Sequence, residues 1–223
     1  MNAVEFQKVT NASDDIILMY NKWENLLTHW NKKINLVSPQ TISNFWLRHA
    51  LDSYQLTTFL PSGAKTILDM GSGAGFPGLA FAIHAKDKQN SQHVTLVEAN
   101  GKKCNFLRAI IREMGLKASV IQERAENISP KSYDVISARA FAPLDELFAY
   151  SEPFWAKDTL AIFPKGARFE QEIAKAQKCY DFKYTAKPSQ TSDEAKVLLI
   201  HGLVRLDTDN KNRKRLAEKE AGK

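Results

Sequence analysis

The stretch DMGSGAGFPG, residues 69–78, carries two overlapping glycine spacings. Gly71, Gly73 and Gly75 read G-x-G-x-G, while Gly73, Gly75 and Gly78 read G-x-G-x-x-G. The second is the spacing that lets a tight turn bring backbone amides up to a phosphate at a helix N-terminus. A glycine pattern alone does not name its ligand, but its flanks narrow the choice. TILDM, residues 66–70, is a short apolar run of strand type, and Pro77 suits the first position of a following helix. Strand, glycine turn and helix in that order predict a nucleotide-binding loop.

Outward from this loop, short apolar or β-branched runs alternate with helical stretches. The strand candidates are KTILDM (65–70), HVTLVEA (93–99), ASVIQE (118–123), YDVISAR (133–139), TLAIFPKG (159–166) and AKVLLIHGLV (195–204). Helices are expected near 77–86, 101–114, 144–156 and 167–178. Six strands in this alternation predict a doubly wound, Rossmann-like α/β fold whose ligands bind at the C-terminal edges of the strands. Upstream, Ile16, Met19, Tyr20, Trp23, Leu26, Leu27, Trp30 and Ile34 recur every three or four positions. This spacing predicts an amphipathic helix from Ser13 to about Leu36, capped by Ser13, with Asp14 and Asp15 at the positive end of its dipole. A second helical stretch is expected over 41–59, ending at the breaker cluster PSG, residues 61–63. The chain therefore divides into an N-terminal helical extension (1–60), a sheet domain (61–204) and a basic tail (205–223).

Composition bounds what such a chain does. At 223 residues with 43% hydrophobic content, it holds one full core and an appendage. The first residues lack the basic-then-apolar order of a secretory signal, and no apolar run approaches bilayer length, so a cytoplasmic protein is expected. Cys104 and Cys179 are the only cysteines and the five histidines are scattered, so neither a disulfide framework nor a metal site is expected. A monomer is expected as well. The net charge of +6 favours a polyanionic partner. From Arg205 onward, seven Lys or Arg stand against four Asp or Glu, so the tail carries half of that excess. With almost no apolar residues it is expected to stay mobile, either as a solvated terminus or as an arm grazing RNA.

Three features weigh on the ligand. Asp69, directly before the glycines, suits an ammonium or sulfonium and repels a pyrophosphate. Glu98, closing the next strand, is placed to accept hydrogen bonds from a ribose diol, and Ala125 with Glu126 in ERAEN, residues 123–127, suits the edge of a purine. The Tyr-x-x-x-Lys arrangement common in hydride enzymes is absent. Both cofactor readings share Glu98, Ala125 and Glu126, so it is Asp69 and the missing relay that favour S-adenosylmethionine over a nicotinamide dinucleotide.

Six ordered segments now carry a resemblance: NLVS (35–38), RHALDS (48–53), LDMGSGAGFPGLAFAI (68–83), LVEANGKKCNFLR (96–108), RAE (124–126) and SARAFAPL (137–144). Together they resemble the RsmG family, also called GidB, of bacterial small-subunit ribosomal RNA methyltransferases. The resemblance implies a class I methyltransferase fold, S-adenosylmethionine as methyl donor, and methylation of guanine N7 at position 527 of 16S rRNA. It also implies that Gly71, Phe76, Ala125, Glu126 and Arg139 are cofactor contacts. Glu98 stands where some members carry aspartate, and the lysine-rich tail is outside the shared pattern.

The chemistry is compatible on its own terms. Guanine N7 presents a lone pair without shedding a proton, so aligning the reactants is the main requirement. The sequence has neither the adjacent proline pair used in amine methylation nor a cysteine at the end of the fourth strand. Arg139, at the end of that strand, is read as the catalytic residue. It suits pairing with guanine O6, neutralising a phosphate, or an internal tie to a carboxylate such as Glu126. Lys102 and Lys103 oppose the dipole of the helix they begin, which points to RNA phosphate or to plain solvated surface. Arg48, His49, Lys165 and Arg168 are further RNA-contact candidates, although a half-buried His49 bonded to Asp52 fits the sequence equally well. A small-molecule methyltransferase and a non-catalytic nucleotide-binding module remain the alternatives.

Overall fold

The computed structural model describes residues 1–206. Helix α1 (Ala3–Thr10) opens on a capping box in which Asn2 and Glu5 exchange side-chain to backbone hydrogen bonds. Helix α2 (Asp14–Asn31) is capped by Ser13, as the sequence predicts, but ends five residues earlier than expected. The expected second helix is broken into short pieces. After α3 (Pro39–Ile42) come a π-helical turn (Trp46–Leu51), α4 (Asp52–Tyr54) and a 3-10 turn (Gln55–Phe59). The π turn carries Arg48 and His49, and such wide turns recur at functional sites.

The sheet domain runs β1 (Thr66–Met70), α5 (Gly78–Asp87), β2 (His93–Val97), α6 (Gly101–Met114), β3 (Ala118–Ile121), β4 (Val135–Ala138), α7 (Leu144–Ser151), β5 (Leu160–Lys165), α8 (Phe169–Ala176), β6 (Tyr180–Pro188) and β7 (Lys196–Arg205). The strand order is β3-β2-β1-β4-β5-β7-β6. Strands β1 to β5 are parallel, whereas β7 runs antiparallel between β5 and β6. Among the described residues seven strands stand where six were expected. The additional one, β6, is an edge strand whose residues are mostly exposed, so it lacks the apolar run that marks its neighbours. Arg205, assigned to the tail from sequence, is the last residue of β7 and pairs with Glu152 at 2.7 Å. Leu206 follows it, and residues 207–223 of that tail lie outside the described residues.

Strand order reverses between β1 and β4, which puts the C-terminal ends of these two strands, and the loops that follow them, beside the switch point. Helices α5 and α6 pack on one sheet face, and the N-terminal helices pack against them. Phe6, Tyr20, Trp23 and Leu27 share an apolar cluster with Ile67, Phe81, Leu96 and Phe106, while a second cluster around Phe148, Phe154 and Phe163 covers the other face. The extension is thus packed onto the sheet domain, and it forms one wall of the site.

Candidate active site

The loop after β1 turns on Gly71, Gly73 and Gly75, all at positive φ (65°, 55° and 96°). Three glycines are also fixed by space, Gly75 by the Leu79 side chain. A Cβ on Gly71 would overlap the Phe141 ring, and one on Gly78 would run into Leu96 and the Asp69 carboxylate. Pro77, expected as the first helical residue, instead caps α5.

Asp69 does not face a ligand. It is fully buried beneath the loop, where Ser137 Oγ donates to its Oδ1 at 2.8 Å and the Gly78 amide donates to its Oδ2 at 3.3 Å. Burial pushes its carboxyl up to about 6 against the pull of these hydrogen bonds. The expected contact with a sulfonium is therefore corrected: Asp69 holds the loop to β4 and α5. Gly75 and Phe76 are also buried. Phe76 is stacked between Trp23 (4.4 Å) and His49 (4.6 Å), so its ring supports the loop from below and faces neither cleft.

Two adjoining clefts open at this sheet edge. The smaller, about 380 Å³, is lined by Gly71, Gly73, Glu98, Lys103, Ala125 and Glu126 among others. Glu98 Oε2 accepts from the Gly73 amide at 3.0 Å, and Oε1 accepts from the Asn100 amide at 2.8 Å. The same carboxylate thus braces the glycine loop and leaves a second lone pair on each oxygen for a diol. Ala125 and Glu126 begin a 3-10 turn on the opposite rim.

The larger cleft, about 700 Å³, is lined by Arg48, His49, Asp52, Arg139, Lys165 and Arg168 among others, and shares Ala140 and Phe141 with the smaller one. Arg139 organises its inner wall. Its guanidinium pairs with Asp52 at 2.8 Å, donates to the Arg48 carbonyl at 3.2 Å, meets His49 Nδ1 at 3.2 Å and lies over the Phe76 ring at 4.8 Å. The expected tie to Glu126 is thereby corrected, since Glu126 pairs with Arg124 at 3.7 Å. The expected His49–Asp52 bond is corrected too: the imidazole meets Arg139. Burial, reinforced by the Arg139 charge, lowers the His49 pKa to about 4. The ring is therefore neutral at pH 7, and an Arg139 N–H donating to Nδ1 leaves the ring proton on Nε2, which is buried without a partner.

The expected lysine contacts separate. Lys165, with only 10% of its side chain exposed, donates to Glu172 at 2.8 Å and to the Ala142 carbonyl at 2.9 Å. That corrects its assignment as a phosphate contact, because its charge is already satisfied by a carboxylate and a carbonyl. Arg168 and Arg48 remain exposed on the cleft rim, and Lys102 is exposed at the start of α6. Lys102 and Lys103 line a third groove of about 300 Å³ with Lys33 and Asn35, and Lys103 also borders the glycine-loop cleft. Sequence reasoning missed Asp52 as the partner of Arg139, and it missed Phe141 and Lys33. Only Phe141 had a signal, an aromatic two residues beyond the strand-end arginine. Among the described residues no cluster of His, Cys, Asp and Glu could hold a metal, and no helix is long and apolar enough to cross a membrane.

Comparison with known proteins agrees with this architecture. The O-methyltransferase from Bacillus cereus, solved in complex with SAH, superposes with a TM-score of 0.60 at 14% identity, covering 88% of this chain and 94% of that one, which shows the shared fold. The ribosomal RNA small subunit methyltransferase G of Cereibacter sphaeroides is 41% identical over 80% of this chain and 86% of its own length. The protein of the same name from Parvibaculum lavamentivorans is 38% identical over 91% of this chain and 90% of its own. Residues 17–199 match the family model of GidB, rRNA small subunit methyltransferase G. The chain belongs to the GidB family.

Proposed function

We propose that this protein is an S-adenosylmethionine-dependent methyltransferase that modifies guanine N7 at a single position of 16S rRNA, in the small ribosomal subunit or its RNA. The observation that carries this reading is the pair of adjoining clefts, one walled by the glycine loop and the other by Arg48, His49 and Arg139, with Ala140 and Phe141 common to both. The small cleft suits the donor. Gly71 and Gly73 leave bare backbone there, Glu98 offers lone pairs to ribose hydroxyls, and Ala125 with Glu126 edges the space for a purine. When bound, the donor supplies an electrophilic methyl group on a positively charged sulfur.

The residues around the larger cleft bind and orient; they have no obvious part in removing a proton. Asp52 is held by Arg139 and accepts from Thr191 Oγ1 at 2.7 Å, and the His49 nitrogen nearest Arg139 is engaged as well. A wall without a free base suits an acceptor whose lone pair needs no deprotonation, which guanine N7 provides. Exposed Arg48 and Arg168 on the rim, with Lys103 beside the small cleft and Lys102 in the adjoining groove, supply sequence-independent phosphate contacts. A ribosomal substrate also implies work in the cytoplasm. Labelled donor incubated with small subunits and with naked 16S rRNA tests the reading. Label is expected in the RNA with wild-type protein and none with Gly71→Val, whose side chain meets Phe141 and resists positive φ. Equal labelling by the two proteins would refute the assignment of the small cleft.

A further inference from the structure

Phe141 is held in an unusual position. It follows β4 after only Arg139 and Ala140, and Ala140 has φ of 52°, a left-handed conformation that residues with a Cβ seldom adopt. The residue that this turn presents is 36% exposed. The other large apolar side chains exposed among the described residues lie elsewhere: Met1, Val4, Val9 and Leu18 in the N-terminal segment, Tyr184 and Val204 on β6 and β7. Phe141 alone among them borders both clefts. One part of the ring packs on Gly71, and its edge meets Tyr150 at 5.4 Å with the ring planes 65° apart.

An acceptor must reach the methyl donor where the two clefts meet, and the side chain at that junction is an aromatic ring. Single nucleotides taken out of their stack regain that contact on exposed aromatic side chains. Stacking carries little sequence information, so the discrimination belongs to neighbouring donors and acceptors. We propose that Phe141 is the stacking platform for the target purine, an acceptor-binding residue of the methyl transfer. This proposal rests on the reading that the acceptor is an rRNA guanine. It assigns the strained Ala140 turn a purpose, which is to keep the ring between the clefts instead of in the core. It also gives Gly71 a second role, since any side chain there would displace the platform.

The test uses the full-length protein and compares Phe141→Leu, Phe141→Ala, Phe141→Tyr and Phe141→Trp. Donor affinity is measured by calorimetry, and single-turnover methylation is followed across a range of small-subunit concentrations. Circular dichroism confirms the fold of each variant. The Leu and Ala variants are expected to bind donor within about threefold of wild type while losing about tenfold or more in methylation at subsaturating subunits, within the span that one lost base–aromatic stack produces. The Tyr and Trp variants are expected to stay within about fivefold, because they keep a π-face. Wild-type methylation rates in the Leu variant would overturn the proposal. So would a loss of donor affinity as large as the loss of turnover, which would make donor binding, and not acceptor stacking, the work of the ring. Absence of label from the wild-type protein would remove the rRNA reading itself and the stacking role with it, whereas label from wild type and the Leu variant alike removes the stacking role only.

Discussion

The Asp52–Arg139 pair ties the N-terminal helices to the end of β4, and its strength can be worked from the structure. The 2.8 Å separation joins side chains that are 21% and 18% exposed, so the pair is neither a surface bridge nor fully desolvated. Exposed pairs contribute about 0.2–1 kcal/mol, and breaking a buried pair costs about 3–5 kcal/mol. The fractional exposures put this pair between them, with a coupling of about 1–3 kcal/mol. The perturbation is a double-mutant cycle on Asp52→Asn and Arg139→Met, substitutions that keep the shape of Asp52 and an unbranched apolar chain at 139 while removing the guanidinium that lies over Phe76. Urea unfolding of wild type, both single variants and the double gives the coupling energy directly. The double variant is expected to lose less than the sum of the two single losses, by the coupling energy. A coupling below about 0.5 kcal/mol would refute the clamp, since independent sites add to within about that error.

Three further outcomes follow from the same geometry. The imidazole of His49, followed by NMR, should titrate near pH 4, and Arg139→Met should move it upward because the second cause of its depression is gone; a wild-type value at or above the usual 6.5 would contradict the burial argument. A depressed histidine contributes stability that is full above about pH 6.5 and lost as pH falls towards 4, whereas the raised carboxyl of Asp69 favours the folded state at low pH and loses that advantage as pH rises from 3.8 to about 6. The two slopes oppose each other, so the His49 resonance and not the global unfolding curve is the measure. Lys165→Met should cost about 1–3 kcal/mol of stability by removing the cation from Glu172 and leaving it only the Leu144 amide, with the salt dependence of RNA binding unchanged; a flattened salt dependence would restore Lys165 as a phosphate contact. Joint replacement of Lys102 and Lys103 by alanine should lower the slope of log affinity against log salt by about 1–2, and an unchanged slope would return both to plain surface.

Much of this architecture was legible because it is written locally. Strands β1 to β5 and β7 each carry a short apolar run, α6 matches its expected bounds of 101–114, and the Ser13 cap is a single-residue signal. Strand β6 was invisible for the opposite reason: an exposed edge strand buries too little to need an apolar run. Helix α1 is only eight residues long and is held by Phe6, whose ring lies 5.3–5.5 Å from Tyr20, Trp46 and Tyr54, contacts that sequence order does not reveal. The site divides the same way. Glycines at positive φ and the strand-end positions of Glu98 and Arg139 followed from the loop pattern. Which carboxylate Arg139 would choose did not, because Asp52 and Glu126 are both plausible until the chain is folded. Asp69 and Lys165 were misread because their charge suggested a ligand, whereas their partners are Ser137 and Gly78 in one case and Glu172 in the other.

The measurement that tests the central claim most directly is the identity of the methylated nucleoside. Small subunits or 16S rRNA lacking the modification, incubated with protein and labelled S-adenosylmethionine, are digested to nucleosides and separated. The account predicts 7-methylguanosine as the only labelled species, at a single position of the RNA, where borohydride followed by aniline cleaves the chain. Label in a methylated adenosine, in 5-methylcytidine or in a small metabolite, with none in 7-methylguanosine, would contradict it.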